Sequence, residues 1–82
     1  MKVVWDERKR RANIAKHGLD FAGLTEDWFL VAAIEPARGE RWKAIGEFEG
    51  RLVIVVVFRP LGSEAISVIS MRPARRDERS RA

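Results

Sequence analysis

The sequence predicts an α+β domain: an N-terminal strand and two helices packed on an antiparallel sheet, with a short helix closing the chain. Three observations carry this expectation. Over residues 6–28 apolar side chains recur at helical spacing between two capping signals. From about residue 41 the pattern changes to extended runs separated by Gly and Pro. One of these runs, LVIVVVF at 52–58, is apolar at every position, as in a central strand covered on both faces. Eighty-two residues make one domain, 1–82, with a core of modest size.

Taken in order, KVVW at 2–5 reads as a short strand, and Asp6 is placed to cap a helix that runs to about Lys16. Gly18 stands where a left-handed residue ends a helix. Ala12, Ala15 and Leu19 fall at i, i+3, i+7 and are expected to face the core, leaving Lys9, Asn13 and Lys16 as a polar stripe. Asp20 opens a second helix in which Phe21, Leu24 and Trp28 share a face. FLVAAIE at 29–35 is a strand candidate and PARGE at 36–40 a loop. A hairpin follows, with strands near 41–48 and 51–58 around a turn at Glu49-Gly50. RPLGSE turns the chain into a last strand at 65–71, and Pro73 suits the first position of a closing helix. Pairing 51–58 with 65–72 sets Arg51 beside Arg72 and leaves Arg59 at the far end of the hairpin, roughly 20 Å away at ~3.3 Å per residue. Trp5, Trp28 and Trp42 are expected in the core. Helices should lie on one face of the sheet, and strand 65–71 or the hairpin edge is where a partner's strand could add.

Composition narrows the function. There is no cysteine and one histidine, so no disulfide, no thiolate metal site and no two-His zinc site within one chain. No metal and no cofactor is expected. The sequence displays no signal peptide and no spanning segment, so a cytoplasmic protein without membrane attachment is expected. The net charge of +4 is unevenly placed. Residues 1–16 carry six basic and two acidic groups, residues 17–70 five and eight, and residues 71–82 five and two. Two basic ends flank an acidic middle, which suits a polyanion or an acidic protein partner.

The closing SMRPARRDERSRA concentrates this charge. If 73–81 is helical, Arg72, Arg75, Arg76 and Arg79 share a face, and Glu78 stands three residues from Arg75, within ion-pair reach. Such a guanidinium set with one carboxylate suits phosphate, which arginine binds bidentately at any relevant pH.

Two stretches also resemble a known family. WDxxKxxxNxxKHGxxF is met by Trp5, Asp6, Lys9, Asn13, Lys16, His17, Gly18 and Phe21, and SxRxAxxxER by Ser70, Arg72, Ala74, Glu78 and Arg79. Together with GERWKAIGEFEGRLVIVVVF at 39–58 they resemble BrnT, the toxin of a bacterial type II toxin–antitoxin pair, over nearly the whole chain. The resemblance implies a RelE-like fold and RNA cleavage. It also implies neutralisation by a DNA-binding antitoxin, BrnA, through which alone the complex would touch promoter DNA, and a hetero-oligomer with that antitoxin. By similarity, Arg72, Glu78 and Arg79 are the expected catalytic residues, helped by basic residues on the sheet.

A metal-free nuclease must align the 2′-hydroxyl with the phosphorus, take its proton, stabilise added negative charge and protonate the departing 5′-oxygen. Arginine suits the third task and is a poor acid. Glu78 is the expected base. Arg51, Arg59, Arg75, Arg76, Lys16 and His17 are expected to bind RNA. His17 follows the first helix, where its simplest role is a capping contact with the last carbonyls; the leaving-group acid is unassigned. The rival reading is a non-catalytic basic module that binds nucleic acid or a protein partner.

Overall fold

The computed structural model describes residues 1–50 and 52–82. Five strands form one sheet in the order β1-β5-β4-β3-β2, where β1 is Lys2–Trp5, β2 Ala33–Pro36, β3 Trp42–Phe48, β4 Leu52–Leu61 and β5 Ala65–Pro73. The helices are α1 Glu7–His17, α2 Glu26–Val31 and α3 Arg76–Arg79, with a 3-10 turn at Phe21–Gly23. The α+β expectation holds, but the sheet is mixed: β1 runs parallel to β5, while every other pairing is antiparallel. A strand that reaches its neighbour across the rest of the chain is free to run parallel, which no local pattern reveals.

Local signals explain the first elements. The Asp6 carboxylate accepts the Arg8 amide at 2.8 Å and the Lys9 amide at 3.3 Å. Gly18 has φ +69°, and its N–H bonds to Ile14 C=O at 2.8 Å, ending α1. The expected second helix is divided. Asp20 caps only the 3-10 turn, and Thr25 caps α2, which extends through Phe29, Leu30 and Val31; the strand expected from residue 29 begins at Ala33. Glu49 and Gly50 both have positive φ at the β3–β4 turn.

The buried face of α1 differs from the expectation, although Leu19 is buried and Lys9 and Lys16 are exposed as expected. Ala12 and Ala15 are exposed, and Asn13 is the buried residue of the helix. The reason is where the helix lies. β1 pairs with β5 only as far as Val68, and α1 continues along the β5 edge. There Asn13 Oδ1 accepts the Met71 amide at 3.0 Å, and Asn13 Nδ2 donates to Met71 C=O at 2.8 Å and Leu19 C=O at 3.0 Å. The side-chain amide pairs with the strand as another strand would, which a methyl group cannot do. Arg10 completes the attachment with a two-pronged contact to Asp20 at 2.8 and 3.0 Å.

The main core lies on one face of the sheet. Ala44, Ile54, Val56, Val68 and Met71 pack against Phe21, Leu24 and Phe29. Phe29 meets Phe58 edge-on at 5.4 Å, and Trp5 meets Phe21 at 6.4 Å. Trp5 and Trp28 pack on this core, but Trp42, at the sheet rim where β3 starts, is 39% exposed. Alternation sends Lys43, Ile45, Val55 and Arg72 to the opposite face, and α3 packs there on β3 and β4. The helices therefore lie on both faces.

The last hairpin differs from expectation in register. Arg59, Pro60 and Leu61 continue β4, so the turn is Gly62–Glu64, and Arg72 pairs with Val55 after a bulge at Val57/Phe58. The expected neighbour, Arg51, lies outside the described residues. Pro73 does not open a helix; it ends β5 opposite Ile54. Pro60 and Pro73 both stand where their strand has one strand neighbour, the place where a missing amide is tolerated. β5 is flanked by β1 and β4, so it is not an open edge; the edges are β1 and β2.

Candidate active site

Glu78 organises the arginine-rich end. Its side chain is fully buried between α3 and the sheet. Oε1 accepts from Arg72 Nη1 at 2.8 Å and the Arg75 amide at 2.9 Å, and Oε2 from Arg72 Nη2 at 2.9 Å, Lys43 Nζ at 3.2 Å and Arg75 Nη2 at 3.3 Å. The Arg72 fork, with the Arg75 amide and Lys43, holds this carboxyl far below the ordinary glutamate range despite its burial. Lys43 is shared with Glu35 at 3.5 Å, which Arg81 also meets at 3.3 Å.

This geometry bears on the roles expected of these residues. Five donors on one ionised carboxylate occupy about all of its lone-pair sites, so Glu78 is poorly placed to receive a substrate proton. It is well placed to fix Arg72. Three N–H bonds of Arg72 go to Glu78 and to Pro73 C=O, which leaves two of the guanidinium's five donors.

The Arg72 side chain borders a groove of about 340 Å³ between α1 and β5. Lys9, Lys16 and His17 line one wall, and Ser70 and Arg72 the other. Residues from the two basic ends of the chain thus meet. Asn13 sets their spacing, because it fixes α1 to the β5 backbone one residue from both Ser70 and Arg72. The capping contact expected of His17 is made by the Gly18 amide instead. Among the described residues no group takes a hydrogen bond from the imidazole.

Other expected residues are dispersed. Arg79 is exposed and borders a separate hollow with Trp28 and Val53, near the β3–β4 turn. Arg76 is exposed at the start of α3. Arg59 is exposed and pairs with Ser67, four positions along β4 from the partner of Arg72. Arg75 is exposed but tied to Glu78 and, at 3.7 Å, to Asp77. The expected single arginine face does not form, because α3 begins at Arg76, so Arg72 belongs to a strand and Arg75 to the cap. Arg51 lies outside the described residues. Lys43 has no local signal in the sequence, since its role arises from cross-strand and tertiary placement. Ser70 could have been paired with Arg72 from strand alternation alone.

Comparison with known proteins gives this site its context. The family model described as "Ribonuclease toxin, BrnT, of type II toxin-antitoxin system" matches residues 5–78. The chain belongs to the BrnT family. Its fold is that of a solved member: the crystal structure of the ribonuclease toxin BrnT of Brucella abortus is 58% identical, with a TM-score of 0.86 over 93% of this chain and 99% of that one. No curated protein sequence matches the chain. Among the described residues of this BrnT family member, no helix is long and apolar enough to cross a membrane.

Proposed function

We propose that this chain is an endoribonuclease toxin that cuts RNA in the groove between α1 and β5. The observation that carries the reading is the convergence of Arg72, buttressed by buried Glu78, with Lys9, Lys16 and His17 on one groove. A fixed guanidinium with two donors to spare suits a phosphate that gains charge on the way to the transition state, and the lysines add sequence-independent attraction for the backbone. Charge stabilisation comes from these cations without a metal. Among the described residues no three His, Cys, Asp or Glu side chains gather as a metal site.

In this reading the 2′-hydroxyl attacks the neighbouring phosphorus while Arg72 neutralises the phosphoryl oxygens. Glu78 acts as the anchor for Arg72, Arg75 and Lys43, in preference to acting as the base. Arg79, Arg75, Arg76 and Arg59 serve as outlying contacts for a longer RNA. Cleavage of cellular RNA arrests translation and growth in the cytoplasm. A BrnA-like antitoxin neutralises the toxin in a hetero-oligomer and supplies the only contact with promoter DNA.

The test is induction in a bacterial host of the wild type beside Arg72→Ala and Glu78→Gln, with growth and total-RNA integrity as readouts. Growth arrest and RNA loss in the wild type, relieved in both variants while each still folds, is the expected result. Normal growth with intact RNA for the wild type would overturn the nuclease reading in favour of a basic binding module.

A further inference from the structure

Cleavage in this groove needs a proton donor for the departing 5′-oxygen, and very few groups of the chain are candidates. The chain has no tyrosine, no cysteine and one histidine. Lysine and arginine hold their protons too tightly near neutrality to give them up readily. Glu78 is ionised and enclosed by its five donors. Glu35 is engaged by Lys43 and Arg81 on the face that α3 covers, and is not part of the groove. Histidine is the side-chain type that exchanges protons in the physiological range, and the single one present lies on the groove wall opposite Arg72.

The placement of His17 is built into the fold. It is the last residue of α1, held by the left-handed Gly18 on one side and by the Asn13–Met71 clamp one turn earlier. The Gly18 amide closes the helix, so the imidazole is not consumed as a cap. It is half-buried, with Lys9 and Lys16 beside it on α1 and Arg72 and Ser70 across from it on β5.

We propose that His17 is a catalytic residue, the acid that protonates the 5′-oxygen as the RNA strand breaks. The inference rests on the ribonuclease reading above. The 2′-oxygen forms a bond to phosphorus and loses its proton to solvent water. The bond from phosphorus to the 5′-oxygen breaks with its electron pair on oxygen, and that oxygen takes the proton from the His17 imidazolium. The products are a 2′,3′-cyclic phosphate and a 5′-hydroxyl, and the neutral imidazole recovers its proton from water. Arg72 faces the phosphoryl oxygens throughout and Ser70 offers a hydroxyl beside them.

The experiment compares two substrates, an RNA oligonucleotide and the same oligonucleotide with sulfur replacing the 5′-bridging oxygen at the cleavage site. A departing thiolate needs no proton, so this substrate bypasses the acid. The wild type, His17→Ala and His17→Gln are assayed on both, with product ends identified. For the oxygen substrate both variants should lose roughly 100-fold or more of the cleavage rate, the usual scale of a general acid. For the sulfur substrate they should return to within about tenfold of the wild type. An equal loss on both substrates, or no loss on the oxygen substrate, would overturn the role of His17 while leaving the ribonuclease reading intact. A wild type that cleaves neither substrate would instead overturn the ribonuclease reading, and this inference with it.

Discussion

At the scale of single residues, the structure separates side chains enclosed by ion pairs from side chains that line the groove. Glu78 is a holding group: it is buried, ionised and saturated by Arg72, Arg75 and Lys43. Replacing it by Gln leaves three cations facing a neutral amide, and the expected loss is about 3 kcal/mol in urea unfolding. A melting curve should therefore accompany any toxicity assay of that variant. The acidity of Glu78 sets a pH signature as well. Its folded value is depressed, so its contribution is fully present above the ordinary glutamate range near pH 4.5 and is lost progressively as pH falls below it. Wild-type stability should decline through that acid range more steeply than that of Glu78→Gln. Equal slopes would show that other carboxylates dominate acid unfolding. Arg72→Lys tests the fork: one ammonium cannot make both 2.8 and 2.9 Å contacts and still present two donors to phosphate. Cleavage should fall by roughly 100-fold, the scale of losing one positioned donor.

At the scale of elements, the seam between α1 and β5 decides whether the groove exists. Asn13 makes three hydrogen bonds to main-chain groups, two of them across the seam to Met71 and one to Leu19 just past the helix. Asn13→Ala leaves the buried Met71 amide and carbonyl unpaired, and should cost about 3 kcal/mol while slowing cleavage, because both groove walls lose their common reference. Asn13→Leu, which fits the packing but not the pairing, should be no better. A fully stable Asn13→Leu variant would mean that the seam is held by burial alone. The helix end next to it is a smaller effect: Gly18→Ala forces a side chain onto φ +69° and should cost about 1 kcal/mol in thermal unfolding. These elements also show how far local pattern reaches. Asp6, Gly18 and the Glu49-Gly50 turn act through neighbours in sequence, and each does what its residue type suggests. The face of α1 could not be read in the same way. Alanines at helical spacing look like a core stripe, and an asparagine among lysines looks like solvent-facing polarity. The helix meets strand backbone, so the polar residue is the buried one. The register of β5 escaped for a related reason. Pro60, Gly62 and Ser63 are turn-forming residue types, yet pairing with β5 keeps Arg59, Pro60 and Leu61 extended.

At the scale of the molecule, the two basic ends of the chain meet at one groove. Lys9 and Lys16 from the first sixteen residues line one groove with Arg72 from the last twelve, and Arg75 lies beside Glu78. RNA bound by about four such cations should show a slope of log affinity against log salt of roughly −3, and Lys9→Ala and Lys16→Ala should each reduce it by a little under one unit. A slope near zero would place RNA elsewhere.

The sequence by itself determined the class of fold, the start and stop signals of the first helix, the apolar central strand, the excess of arginine at the end and the family to which the chain belongs. These depend on residue type and on neighbours a few positions away, or on motifs carried intact. Only the tertiary structure decided that β1 joins β5 in parallel, that α3 covers the second face, that Glu78 is enclosed while Arg79 borders a different hollow, and that His17 lines the same groove as Arg72. Each of these depends on contacts between segments far apart in the chain. A one-residue change of register or a turn of helix orientation exchanges the buried and exposed faces without altering any local pattern.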